Sequence, residues 1–223
     1  MENKRESIYA IMMAAGYLFL LGVSVNQKQI GIWIACNLAA FLGYWMKNHN
    51  RKKPGSLSLI GMIFCKAACL FFFGNLLSGL ILYFAGKQVQ TEMTTPSSLI
   101  AVLCFVVIGP LGEEAMFRGI ILKNLTTTVS DHQSLFISSV WFAAVHFIGG
   151  GLNQVLYALF LGLCCGSLYQ KEESLFPPVL FHMFCNLFTL IWNLYDTSRI
   201  VILLFTISSV LFLLCKRRKE KIL

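Results

Sequence analysis

Apolar side chains run along this chain in long blocks, and polar ones gather in the short gaps between them. A run near or above about 18 apolar residues is long enough to cross a bilayer as a helix. The blocks predict eight membrane helices: about Ile8 to Val25, Ile30 to Met46, Leu57 to Ala85, Leu99 to Leu122, Ser134 to Ile148, Leu152 to Tyr169, Pro177 to Leu194 and Ile200 to Cys215. The third is longer than one crossing needs and contains Lys66, whose long stem lets its ammonium snorkel to the headgroups. Pro177-Pro178 suits a helix start, and Gly149-Gly150-Gly151 reads as a turn. No internal repeat, low-complexity linker or second domain interrupts the pattern. The expected fold is therefore all-α: a polytopic helical bundle in which residues 1–223 form a single integral membrane domain.

Composition supports this pattern. The chain is 57% hydrophobic and 13% charged, whereas a soluble domain has about a quarter of its residues charged. The net charge of +8 raises the question of nucleic acid. The basic residues, however, sit in Lys4-Arg5, in Lys47 to Lys53 and in Lys216 to Lys221, at helix ends rather than on a patch. With eight helices these three clusters share one side. The bias of basic loops toward the cytosol then gives a multi-pass cell-membrane protein with both termini cytosolic. All eight cysteines lie in apolar blocks and no CxxC occurs, so they read as small buried hydrophobes. The first block follows Lys4-Arg5, yet it is long for a signal peptide and ends without a small-residue cleavage site, so an uncleaved first span is expected.

Against this background two acids stand out. Of ten acidic residues, only Glu113 and Glu114 fall in the middle of an apolar block. Ionisable groups at that depth are costly and mark functional sites. On a helix Glu114 and Arg118 share a face and can pair, while Glu113 points about 100° away. Of four histidines, His49 and His132 fall in loops, whereas His146 and His182 fall in blocks. Phe142 lies one turn before His146, and Asn186 one turn after His182. At about 1.5 Å per residue, Glu113, His146 and Asn186 reach similar depths of roughly 14–18 Å from the cytosolic ends of their helices, with His182 nearer roughly 8 Å. Polar groups in lipid need partners, so these residues should converge inside the bundle.

The set suits peptide hydrolysis. A carboxylate can serve as general base for water, one histidine can hold that water, and the other with the asparagine can donate to an oxyanion. Glu113, His146 and His182 could alternatively ligate Zn2+ with one open position. HExxH, GxGxxG and Walker patterns are absent.

Glu113-Glu114-x-x-x-Arg118, Phe142-x-x-x-His146 and His182-x-x-x-Asn186, in this order, resemble the CPBP family. That family comprises CAAX prenyl proteases and the bacteriocin-processing or bacteriocin-immunity proteins also called Abi. The resemblance covers residues 98–195, the expected catalytic core; the first three spans match by hydropathy only. It implies an intramembrane endopeptidase of the glutamate-dependent or metal-dependent type, in a short form like the bacterial members. Glu113 would be the water-activating base, Glu114 and Arg118 its supporting pair, His146 the residue holding the water, and His182 with Asn186 the oxyanion donors. No cofactor is required on this reading, with zinc as the alternative. The implied partners are the bilayer and a membrane-associated peptide or protein substrate, such as a bacteriocin or signalling-peptide precursor. Two other classes fit the same residues: a non-catalytic peptide-binding immunity or scaffold protein, and a small proton-coupled transporter. Internal pseudo-repeats, which would favour a transporter, are absent.

Overall fold

A computed structural model describes residues 15–17, 30–48, 57–87, 98–194 and 196–220. The first predicted span lies outside the described residues except for the helical turn at 15–17, as do His49 and most of the loop at 86–97. Among the described residues the chain is helical, with no strand. The helices are α1 (Ile30–Asn48), α2 (Leu57–Phe84), α3 (Leu99–Leu125), α4 (Asp131–Val145), α5 (Phe147–Glu172), α6 (Phe176–Leu194) and α7 (Asp196–Glu220). Leu59–Phe84, Leu99–Leu125 and Gly151–Glu172 are long and apolar enough to cross a membrane. Ile30–Met46 and Ile202–Leu214 are shorter apolar helices.

Local sequence explains the helix ends. Ser98 caps α3 by accepting from the Ala101 amide. Ser130 and Gln133 cap each other's backbone at the start of α4, with Asp131 in the first turn, the reciprocal arrangement that satisfies two orphan donors at once. α5 stops at Glu173, whose left-handed backbone (φ 47°) lets its N–H reach the Tyr169 carbonyl. Pro177 and Pro178 open α6, where missing N–H groups cost nothing.

One difference from the sequence pattern bears on the site. α4 ends at Val145 instead of Ile148, and helical structure resumes at Phe147. The bend falls at Gly151 (φ 64°, ψ −167°), a conformation open to glycine and to few other residues. His146 is therefore not inside a helix. It sits at the junction where α4 turns over into α5.

The interior joins α2, α6 and α7 through aromatic rings. Phe64 meets Phe184, Phe188 and Phe205 at centroid distances of 4.7, 5.1 and 5.0 Å. The outward faces carry large apolar side chains, among them Leu42, Phe73, Phe136, Leu204 and Phe212. The fully buried set includes Asn37, Glu114 and Arg118. Apolar outside with polar groups paired inside is the arrangement a lipid surrounding requires.

Candidate active site

The site is built on α3, which is not a plain α-helix. Cys104–Ile108 and Ala115–Leu122 are π-helical, and the α-helical Gly109–Glu114 lies between them. Such widened turns leave backbone carbonyls available and recur at functional sites. The first follows from Pro110. The Gly109 amide bonds to the Cys104 carbonyl five residues back. The next bond in that register would come from residue 110, and proline has no N–H. The Phe105 carbonyl is thus left open, and Asn186 Nδ2 on α6 donates to it at 2.8 Å. In the second widened stretch, the Phe117 carbonyl accepts from Ser138 Oγ on α4 at 2.9 Å. Both hydrogen bonds tie neighbouring helices to the glutamate-bearing one.

Glu114 and Arg118 form the predicted pair, with Arg118 Nε 3.1 Å from Glu114 Oε2 and side chains 1% and 0% exposed. Arg118 Nη2 donates to the Gly162 carbonyl of α5 at 3.0 Å. Its guanidinium lies over the Phe142 ring, 4.4 Å from the centroid. Glu114 has a second partner: His182 Nδ1 donates to its Oε1 at 2.9 Å. A charge-assisted bond of this kind fixes both the ring's orientation and its tautomer.

His146 is fixed in the same way. Its Nδ1 donates to the Phe142 carbonyl at 2.7 Å. A carbonyl only accepts, so this ring also carries hydrogen on Nδ1. Both rings then present Nε2 to one atom: His146 Nε2 and His182 Nε2 each lie 3.9 Å from Glu113 Oε2. Glu113 and His146 remain partly open, 16% and 18% exposed, while His182 is 3% exposed. The adjacent carboxylates are thus in different settings: Glu114 is fully buried among partners, and Glu113 is partly exposed.

The structure brings together Glu113, Glu114, Arg118, His146 and His182. Asn186, expected at an oxyanion, is instead engaged by one N–H at Phe105. Phe142 does more than fill space: its ring also meets Phe117 edge-on at 5.2 Å and His182 at 5.7 Å. Its position one turn before His146 was the available signal. The sequence reading also passed over Asn37, the sole amide or charged side chain between Ile30 and Met46.

Tetrahedral zinc ligands at about 2.0–2.2 Å from the metal would stand roughly 3.3–3.6 Å from one another, somewhat closer than the 3.9 Å found here. Among the described residues no group of three His, Cys, Asp or Glu side chains is placed to hold a metal ion. Partners about 2.8 Å from a water molecule would by the same geometry stand roughly 4.6 Å apart, so the observed spacing lies between the two cases.

Comparison with known proteins agrees with this architecture. Residues 95–188 match the family described as "Type II CAAX prenyl endopeptidase Rce1-like". The chain is also 26% identical over 208 residues to "Putative membrane peptidase YdiL" of Bacillus subtilis (strain 168), covering 83% of this chain and 84% of that relative. No solved structure matches it. The stretch similar to that endopeptidase family covers less than half of the chain and contains the two glutamates, the arginine and both histidines.

Proposed function

We propose that the chain is an intramembrane endopeptidase in which Glu113 activates water against a peptide carbonyl. The observation that carries this reading is the convergence of two imidazole Nε2 atoms on Glu113 Oε2, each at 3.9 Å. Glu113 Oε2 and His146 Nε2 both offer lone pairs, and a water molecule between them would donate to both. His146 Nε2 holds that water, and Glu113 takes its proton as the oxygen attacks the carbonyl carbon. As an imidazolium, His182 would donate from Nε2 to the oxyanion, with Glu114 on its Nδ1 side. The second N–H of Asn186 is a further donor. Glu113 then returns its proton to the leaving amine, and the peptide bond is broken with atoms and charges balanced.

The substrate on this reading is a membrane-associated peptide or protein, a bacteriocin or signalling-peptide precursor being the class that suits a short bacterial family member. On this reading the route is metal-free and glutamate-dependent. The test compares peptide products in cells carrying the wild type or Glu113→Gln, followed by cleavage of a membrane-tethered peptide by the purified proteins. Gln keeps the shape of Glu113 and loses the base, so turnover should fall to near background while the melting temperature stays put. Near wild-type cleavage by Glu113→Gln would move the assignment to a peptide-binding immunity or scaffold protein. Metal analysis of the active enzyme accompanies it. Stoichiometric zinc, with activity lost on chelation and restored by zinc, would replace the glutamate route with the metalloprotease one.

A further inference from the structure

Fully buried polar side chains in this bundle mostly satisfy themselves. Ser78, Ser139 and Thr206 donate to carbonyls one turn back on their own helices. Asn37, fully buried on α1, does so in part: its Nδ2 donates to the Trp33 carbonyl at 2.9 Å. Its Oδ1 accepts from elsewhere, from the Tyr17 hydroxyl at 2.8 Å. Tyr17 is itself buried, 5% exposed, and its ring meets Phe117 edge-on at 6.4 Å.

These contacts converge on the catalytic helix. α1 packs along α3 through a seam of glycines: Gly109 faces Trp33, Gly112 faces Asn37 and Gly119 faces Tyr44. At Gly112 an added Cβ would overlap both the side chain and the Cα of Asn37. Gly112 is the residue immediately before Glu113. Phe117, which Tyr17 touches, is one turn after Glu113 and therefore on the same face of the helix. Tyr17 and Asn37 thus bracket Glu113: one sits against the backbone just ahead of it, the other against the ring one turn beyond.

We propose that Tyr17 and Asn37 are positioning residues for Glu113, their hydroxyl–carboxamide hydrogen bond setting where the glutamate-bearing turn lies relative to the two imidazoles. The inference rests on the hydrolase reading. Glu113 Oε2 has to serve two nitrogens at once, and a small displacement of a reacting group lowers turnover steeply. Tyr17→Phe removes only the hydroxyl and keeps the ring on Phe117. Asn37→Ala removes the acceptor.

The test measures kcat, KM and melting temperature of purified wild type, Tyr17→Phe, Asn37→Ala and the double variant on one membrane-tethered peptide, well below the melting transition. Tyr17→Phe should lower kcat about tenfold with KM nearly unchanged. The double variant should lose no more kcat than the worse single one, because both remove the same hydrogen bond. Unchanged kcat in Tyr17→Phe overturns the proposal, and this variant alone decides it if Asn37→Ala does not fold. Losses that multiply in the double variant, or that follow the melting temperature, reduce the pair to packing and overturn it too. A wild type that cleaves nothing sinks the hydrolase reading and this inference with it. An active wild type with an unimpaired Tyr17→Phe sinks the inference only.

Discussion

Glu113 and Glu114 are neighbours in sequence, yet the bundle gives them opposite surroundings. Glu114 is fully buried between Arg118 and His182, whereas Glu113 is partly exposed. Substitutions should therefore separate them. Glu114→Ala leaves the Arg118 guanidinium without its carboxylate, and Arg118→Ala leaves the carboxylate without its guanidinium. Removing one partner of a fully buried pair destabilises by about 3–5 kcal/mol. Both variants should melt well below the wild type and give less folded protein, whereas Glu113→Gln should melt with it. Thermal melts of the three proteins in the same detergent check this. Equal melting of Glu114→Ala and wild type would mean that the pair is not sealed from water. The identity of these residues was legible because each is a polar group within or beside an apolar block. Their partners were not. Spacing showed that Glu114 reaches Arg118 on one helix, but it held no sign that His182, 68 residues away, donates to the same carboxylate.

At the scale of elements, the helices were legible because basic or turn-forming segments interrupt the apolar runs. The departures lie where backbone geometry, not hydropathy, decides. The π-helical turns of α3 carry no apolar signature; Pro110 was the visible cue, and its consequence depends on which side chain reaches the freed carbonyl. Asn186 does, so it clamps α6 to α3 as well as standing close to the site. This leads to a different expectation from a purely catalytic amide. Asn186→Ala leaves the part-buried Phe105 carbonyl without a donor, at about 1 kcal/mol, and its melting temperature should fall together with turnover. Lost turnover with unchanged melting would show that the bond to Phe105 adds no stability and that the amide acts on substrate alone. The shortening of α4 has a similar origin. His146 closes the helix with φ −75° and ψ −10°, and the bend at Gly151 turns the chain back, neither of which leaves a mark in an apolar run.

For the whole molecule, the family likeness covers residues 95–188, yet α1 lies directly on the glutamate-bearing helix. The first part of the chain is thus part of the site's framework, which hydropathy alone did not reveal because a glycine seam looks like any small-residue stretch until its partner is known. What hydropathy does carry is orientation. α1 ends beside Lys47, α3 ends near Lys123, α5 ends at Lys171 and Glu172, and α7 ends in Lys216, Arg217, Arg218 and Lys219. α1 runs alongside α3 with Trp33 against Gly109 and Tyr44 against Gly119, so Lys47 and Lys123 lie at the same end. α4 and α6 both start where a basic end has just been reached, and each carries its chain back across. A basic end is retained on the cytosolic side during insertion, so we expect the tail beyond Lys216 to be cytosolic. A membrane-impermeant thiol reagent applied to cells expressing a Lys219→Cys variant tests this: label should appear only after the cells are opened. Labelling of intact cells would reverse the orientation, place the short loop between α3 and α4 outside, and require the substrate to approach the two glutamates from the opposite face of the membrane.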